Sequence, residues 1–483
     1  MSTKVTSDSF DVRAVALRVL AENGFEADSK AAHAEAEKLS EDVTPTKGVR
    51  DMRDVAWSSI DNEQSRDLDQ IEAIQETAGG GTKIFVGIAD VDALVRMGTA
   101  LDKHAALNTT SLYTGTDIFP MLPERLSTCL TSLLPERDRY AMVTEVLVDG
   151  DGNVTGGDVY PAVVRNHAKL AYEHVAAWFA GREKLSIPGA IEDQLRAQDR
   201  MAQRLRAHRK EHGALDLQTA EATVVAKDGE VVDLRLVEES RSRQLIEEFM
   251  IAANGVVARW LVSKHRAGLR RIVRTPKRWD RIVELAATFG TKLPAEPNSL
   301  ALSAFLNDRR AKDPAHYADV SLAVVKLMGP GEYVVEKPGE NQEHFGLAVH
   351  DYTHATAPNR RFVDLVTQRI LKAPENGTAV APYSHDDLAH IGAHCTEREH
   401  AAQKVERTMR KVGAALFMQK RIGETFDGII TGVTSSGTFV RLVTPPAEGR
   451  IVRGEQGVDV GDKVRVRLVA TEPSRGFIDF ARA

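Results

Sequence analysis

Ser59-Ile-Asp-Asn-Glu-Gln-Ser-Arg-Asp-Leu-Asp-Gln70 sets Asp61, Asp67 and Asp69 within nine residues, with Arg66 the one cation among them. Carboxylates this close raise one another's pKa, so a site that keeps them usually binds a divalent cation, Mg²⁺ by default and Mn²⁺ as second candidate. If residues 67–69 are extended, side chains alternate, sending Asp67 and Asp69 to one side and Leu68 to the other. The apolar run at 55–60 reads as a strand that ends on Asp61 and delivers this acid to the same place. On the spacing alone, a solvated acidic loop explains the stretch equally well.

A second stretch shifts the balance: Asp351-Tyr-Thr-His-Ala-Thr-Ala-Pro-Asn-Arg-Arg-Phe-Val-Asp-Leu365. Arg360 and Arg361 follow a proline turn and stand directly before a helix-patterned run at 362–371. Cations at a helix start oppose the dipole. They make sense where an anion such as a phosphate arrives, because the helix N-terminus and a guanidinium fork both favour it. An acidic metal cluster facing an arginine pair is equipment for phosphoryl transfer.

With these two stretches in place, the chain resembles the RNase II (RNB) exoribonucleases. Further blocks occur in the same order: Gly87-Ile-Ala-Asp-Val91, Pro120-Met-Leu-Pro-Glu-Arg-Leu-Ser127 and Ile246-Glu-Glu-Phe-Met-Ile-Ala-Ala-Asn254. The resemblance runs from about residue 46 to 405 and implies processive 3′-to-5′ hydrolysis of single-stranded RNA, releasing nucleoside 5′-monophosphates.

Carried over residue by residue, the resemblance makes Asp61, Asp67 and Asp69 three of the family's four catalytic aspartates, with Asp69 the one most directly tied to chemistry. The fourth position is Gln70, whose amide oxygen can ligate a metal but brings no charge. Arg360 matches the arginine that steadies the phosphate during cleavage, and Arg361 is its neighbour in the motif; Ala357 and Asn359 stand where the family has Ser and Ile. A structural pairing of Arg360 with Asp364 is the plain alternative. Tyr113 matches an aromatic that stacks near the 3′-terminal nucleotide, whereas the opposing aromatic falls at Leu217, which has no π-face. Tyr172 and Glu247 match positions that read the ribose 2′-hydroxyl. For Glu247 the plain alternative is ordinary helix surface. Two functions follow from the resemblance: an active exoribonuclease, or an RNA-binding protein of the same fold with impaired catalysis, for which Gln70 and Leu217 are the motive.

A formal net charge of -6 and a pI near 6.2 give no bulk attraction to nucleic acid, so steering must be local. Basic runs at 204–210, 259–281 and 404–421 are candidates, though such runs are more often solvated helix faces. Cys129 and Cys395 lie far apart and suggest no disulfide. The histidines of the C-terminal half show no zinc-site spacing. Without a signal peptide or an 18-residue apolar span in the sequence, a cytoplasmic monomer acting on single-stranded RNA is expected.

The expected class is α+β in three units. Residues 1–45 form a helical module compatible with a helix-turn-helix, with helices at 10–20 and 29–39 and a stop at Asn23-Gly24. Residues 46–405 form a large mixed α/β catalytic domain, with two exit helices expected over 384–420 after a Pro/Gly-punctuated loop at 373–383. Residues 421–483 carry five short β runs in an order that suits an OB barrel, and resemble the S-one-type RNA-binding domain. In such barrels exposed aromatics stack on bases and basic residues track the backbone. Phe439 is the better stacking candidate and Phe426 the weaker, with Arg441, Arg450, Lys463, Arg465 and Arg467 as the cations.

Overall fold

The computed structural model describes residues 10–44, 47–77, 81–218, 222–227, 230–236, 239–314, 316–337, 342–373, 381–435 and 437–483. The chain opens with α1 (Val12–Glu22) and α2 (Lys30–Ala36). Asp11 caps α1 by accepting the Ala14 N–H at 2.9 Å, and Ser29 caps α2 through Ala32. Gly24 ends the first helix at φ +75°, a left-handed conformation that costs glycine least.

The centre is a seven-stranded sheet built from β1 (Arg50–Asp51), β2 (Ser58–Asp61), β3 (Gln70–Glu76) and β4 (Thr82–Ala89), joined later by three more strands. Between them the chain makes α3 (Ala100–Asn108) and a small hairpin, β5 (Leu112–Tyr113) and β6 (Ile118–Phe119). It returns as β7 (Asp138–Val148), β8 (Val154–Arg165) and β9 (Ala168–Ala171), giving the order β1-β8-β7-β4-β3-β2-β9. Only the outer pairs β1/β8 and β2/β9 run parallel.

Alternation in β4 explains the layering. Ile84, Val86 and Ile88 face one apolar core; Phe85 and Ala89 face another. The first core is closed by α4 (Tyr172–Phe179), α5 (Gly189–Glu211) and α6 (Arg241–Ser263), which supply Val175, Leu195 and Phe249. Each such side chain, fully buried, contributes roughly 1.5–3 kcal/mol.

The second core takes Trp57, Leu68, Ile71 and, from the far end of the sequence, Phe362, Leu365 and Val366. These last sit on α10 (Phe362–Lys372), reached after the hairpin β10 (Ala222–Lys227) and β11 (Glu230–Leu236), the ladder β12 (Leu269–Val273) with β13 (Gly331–Val335), and a satellite cluster of α7 (Trp279–Thr288), α8 (Ser299–Lys312) and α9 (Tyr317–Met328).

One expectation is corrected here. Residues 384–420 form a single helix, α11 (His385–Gln419), 35 residues long and opened by a reciprocal cap between Ser384 and Asp387. Its two glycines mark close approach, not a break: a Cβ on Gly392 would stand 2.9 Å from the Tyr333 carbonyl oxygen, and one on Gly413 would stand 2.6 Å from the Val224 side chain. Most of the loop expected at 373–383, namely residues 374–380, lies outside the described residues.

From α11 the chain enters a closed barrel of β14 (Thr425–Thr434), β15 (Gly437–Leu442), β16 (Glu448–Arg453), β17 (Lys463–Glu472) and β18 (Phe477–Arg482), in the order β14-β15-β16-β18-β17. In β17 the period of two is plain, with Val464, Val466 and Leu468 inside and Lys463, Arg465 and Arg467 outside. Ala415 and Met418 of α11 and Val224 and Leu234 of the β10–β11 hairpin complete its core. Among the described residues, no helix is long and apolar enough to cross a membrane.

Candidate active site

Leu68 is the hinge of the acidic segment. It is fully buried, its N–H donates to Ser132 Oγ at 3.0 Å, and its carbonyl accepts the Leu133 N–H at 3.0 Å. Ser132 Oγ also donates to the Arg66 carbonyl, while Lys169 Nζ donates to the carbonyls of Glu63 and Ser65. The turn that carries the acids is therefore pinned at both flanks. Asp69 enters the sheet beside Ala89, whose N–H bonds its carbonyl at 2.9 Å.

The carboxylates so placed are poorly satisfied. Asp69 is 2% exposed; its Oδ1 accepts the Asn359 N–H at 3.1 Å, but its Oδ2 accepts no hydrogen bond. Burial pushes Asp69 up to about 7, against the pull of Arg360. Asp61 closes β2, where Gln70 Nε2 donates to its Oδ1 at 3.2 Å and its Oδ2 is unpartnered. Burial raises Asp61 to about 6, opposed by the Gln70 hydrogen bond. Asp67 is half-buried and adds its field to both neighbours. The structure thus sets Asp67 within electrostatic reach of both Asp61 and Asp69, and it turns the Gln70 amide toward Asp61.

A residue that the sequence reading missed lies behind them. Glu72 is fully buried on β3 with both carboxylate oxygens unpartnered, and burial together with Asp61 holds it well above the ordinary carboxylate range. The signal was a glutamate at the inward phase of Gln70-Ile-Glu-Ala-Ile74.

The two arginines separate. Arg361 turns inward and grips Asp364 with two hydrogen bonds, Nε to Oδ2 at 2.9 Å and Nη2 to Oδ1 at 2.8 Å. Asp364 is fully buried and also accepts the Ala357 N–H at 2.8 Å, so this pair stiffens the motif's turn. The Arg361 guanidinium, expected to contact RNA, is thus engaged by Asp364. The pairing of Arg360 with Asp364 does not form, because Arg361 occupies that acid. Arg360 instead keeps 46% of its side chain exposed and sets Nε 3.4 Å from Asp69 Oδ2.

Tyr113 is 39% exposed, and its hydroxyl is raised by burial while feeling Arg360, Asp67 and Asp69, which places it over this site. Tyr172 opens α4 with the Arg243 guanidinium 4.4 Å from its ring centroid; burial raises its hydroxyl, and Asp61 and Glu72 do so further. Glu247 is surrounded by different charges, Arg206, Arg209, Glu239 and Glu248, and is raised chiefly by burial. It lines a cavity of about 260 Å³ together with Leu217, Arg209 and His344.

In the barrel, Phe426 belongs to the core and Phe439 is half-buried opposite Arg450. Arg441, expected at the RNA, pairs with Asp319 of α9 at 2.8 Å and ties the barrel to the body. Some cations of two basic runs are similarly occupied. Arg206 and Lys210 converge on Asp216, Arg209 grips Glu248, and Arg271 grips Glu399.

Does this acid set fit a metal? Among the described residues, no three carboxylate, imidazole or thiolate groups close on one point. Mg²⁺, however, is normally held by one or two carboxylates, with water and substrate phosphate filling the other positions. The buried Oδ2 atoms of Asp61 and Asp69, neither of which accepts a hydrogen bond, are what such an ion would satisfy, and the residues fit it.

Residues 49–376 match the RNB domain family, and residues 424–483 match the RNase II-type exonuclease C-terminal S1 domain. Ribonuclease R of Aquifex aeolicus is 30% identical over 479 residues, covering 92% of this chain and 67% of that protein. Ribonuclease R of Escherichia coli K12 is 31% identical over 473 residues, covering 90% of this chain and 57% of that protein. The chain thus spans a little over half to two thirds of the length of these relatives. Among solved structures, Mycoplasma genitalium RNase R in complex with ribose-methylated single-stranded RNA has a TM-score of 0.89 at 23% identity, over 98% of this chain and 78% of that one. Yeast Ssd1, a pseudonuclease, has a TM-score of 0.73 at 16% identity, over 95% of this chain and 57% of that one. A pseudonuclease shares the architecture, so the fold does not decide catalysis and the side chains must.

Proposed function

The chain belongs to the RNB family, and from that premise we propose that it is a processive 3′-to-5′ exoribonuclease that hydrolyses single-stranded RNA to nucleoside 5′-monophosphates. The observation that carries this reading is the meeting of Asp69 and Arg360: a buried carboxylate, one oxygen of which accepts no hydrogen bond, beside a half-exposed guanidinium. Nucleases of the family depend on a divalent metal; our assignment is Mg²⁺, with Mn²⁺ as second candidate, held by Asp61, Asp67 and Asp69 and in part by the Gln70 amide.

When bound, the ion supplies an activated water and charge neutralisation. Arg360 receives the non-bridging oxygens of the last phosphodiester and stabilises the charge that grows there. Water oxygen bonds to phosphorus, the bond from phosphorus to the 3′-oxygen breaks, and that oxygen leaves with a proton. Arg361 acts through Asp364 and the Ala357 amide, holding the turn from which Arg360 projects. Tyr113 stacks on the terminal base, and Tyr172 and Glu247 read the ribose hydroxyl. We assign residues 46–405 to the catalytic body and 421–483 to an RNA-holding OB domain, with Phe439 as its stacking residue.

Gln70 and Leu217 are the motive for a second reading, an RNA-binding protein with impaired catalysis, which relatives named Ribonuclease R do not favour. The deciding experiment is degradation of a 5′-labelled single-stranded RNA by wild type, Asp69→Asn and Gln70→Asp in Mg²⁺ and Mn²⁺, with a DNA strand as control. A short limit product from RNA alone, abolished by Asp69→Asn with binding retained, supports the exonuclease. RNA binding without product, and activity gained only by Gln70→Asp, supports the second reading.

A further inference from the structure

The N-terminal helices do not stand off the body as a separate module. Val12, Ala16, Val19 and Leu20 of α1 share one apolar cluster with Leu112 and Phe119, the inward residues of the β5–β6 hairpin, and with Val405 and Met409 of α11. Leu112 is buried while its neighbour Tyr113 points the other way and is exposed, as a strand's alternation requires. The helix therefore backs the hairpin whose front presents Tyr113.

Three polar ties fix the same segment. Arg13 pairs with Asp117 in the hairpin turn and lies 5.5 Å from the Phe119 ring centroid. Asn108 exchanges two hydrogen bonds with the Glu26 backbone, accepting its N–H at 3.0 Å and donating to its carbonyl at 2.8 Å. Arg398 of α11 donates to the carbonyls of Asn23 and Gly24 and stacks 3.7 Å over Phe25.

The residues just after Asn108 reach the chemistry directly. The Phe362 N–H donates to the Thr109 carbonyl at 2.8 Å. The Arg360 carbonyl accepts both the Ser111 N–H and the Thr110 hydroxyl at 3.1 Å. One short segment, 108–119, thus carries Tyr113 and bonds the backbone of Arg360, and α1 with its C-terminal turn holds that segment from behind together with α11, whose Glu406 accepts the Tyr113 N–H at 3.1 Å.

We propose that α1 and the turn that follows it, residues 12–26, are a positioning element of the active site, setting Tyr113 and Arg360 through residues 108–119, and not an RNA-contacting module. Its consequence for catalysis rests on the exonuclease reading; its structural half does not. The test uses the full chain with Arg13→Ala, which removes an exposed side chain, and Asn108→Ala, which removes both Glu26 bonds.

Hydrogen–deuterium exchange is read first, without substrate. Exchange at 109–113 and 360–363 rises at least about tenfold in Asn108→Ala and less in Arg13→Ala, while the barrel at 425–482 is unchanged. Degradation is read second: kcat falls about tenfold in Asn108→Ala, since small displacements of a clamp are costly, while RNA affinity in an Asp69→Asn background stays within about twofold. Unchanged exchange at both segments overturns the proposal, as does a loss of RNA affinity with kcat intact. A wild type that releases no mononucleotide sinks the exonuclease reading alone, because the exchange result stands apart from it.

Discussion

Nε of Arg360 lies 3.4 Å from Oδ2 of Asp69, a buried oxygen that accepts no hydrogen bond. The pair is loose on the arginine side and fixed on the other, since Asp69 Oδ1 is held by the Asn359 amide. A guanidinium parked this way partly offsets the cost of an ionised Asp69 and remains free to move onto a phosphate. One contact therefore links the acid's ionisation to the anion clamp.

Arg360→Ala should lower kcat about 10²- to 10³-fold, the usual cost of removing one charge donor aimed at a transition state. RNA binding should change far less, because the barrel and Tyr113 are untouched. Arg360→Lys should recover only part of the loss, as an ammonium lacks the fork. Single-turnover rates with a short RNA check this; an Arg360→Ala rate near wild type removes Arg360 from the chemistry.

In the metal-free protein, stability should fall as pH rises. Asp61 at about 6 and Asp69 at about 7 both lie above their ordinary 3.8, so the folded state binds protons that the unfolded chain has released. That stabilisation is complete below pH 3.8 and is lost as pH climbs through about 6 and about 7. The loss is on the order of a few kcal/mol at 1.36 kcal/mol per unit. Glu72 is shifted the same way, and Glu72→Gln should flatten the slope. Mg²⁺ should restore stability at pH 8, because it binds the ionised, folded site. Urea melts at pH 5.5 and 8 with EDTA or Mg²⁺ read this; a metal-free protein more stable at pH 8 contradicts it.

These shifts depend on what local pattern does and does not show. Period-two alternation is local, so Leu68 inward and Lys463, Arg465 and Arg467 outward were legible, as was the stop of the first helix at Asn23-Gly24. The meeting of Asp69 with the arginine motif spans 290 residues at the Asn359 bond; only the resemblance made it expected, and spacing could not. Arg361 and Arg360 read alike in sequence, and only burial of Asp364 tells them apart. Gly392 and Gly413 look like helix breakers until Tyr333 and Val224 are seen against them. The pairing of Arg441 with Asp319, on a distant helix, is beyond any local pattern. Glu72 went unremarked because a buried, unpartnered acid is rare and costly.

Gln70→Asp should tighten Mg²⁺ and weaken the metal-free fold. The new carboxylate would stand where an amide now donates to Asp61 at 3.2 Å, replacing a hydrogen bond with repulsion. With Mg²⁺ present the added charge becomes a ligand, and half-saturation should drop about tenfold, one decade per 1.4 kcal/mol. Thermal melting across a Mg²⁺ titration separates the two effects. A variant equally stable without metal and unchanged in its Mg²⁺ requirement would place position 70 outside the metal shell.

Leu217→Phe should tighten the grip on short RNA. Leu217 lines the cavity of about 260 Å³ that it shares with Glu247, and space beside it accepts a larger ring without forcing the α7–α9 cluster apart. The family resemblance, and not a contact in the structure, sets position 217 opposite Tyr113 across the RNA's last nucleotides, and stacking is worth roughly 1–3 kcal/mol per base. KM for a four- or five-nucleotide RNA should fall by about 5- to 100-fold, with kcat on long RNA little changed and a shorter limit product. On the role proposed for the barrel, long substrates gain further contacts there, and the effect should fade as length grows. A stable variant with unchanged KM on short RNA would mean that this cavity lies off the RNA path, and Glu247 would lose its assignment as a ribose reader at the same stroke.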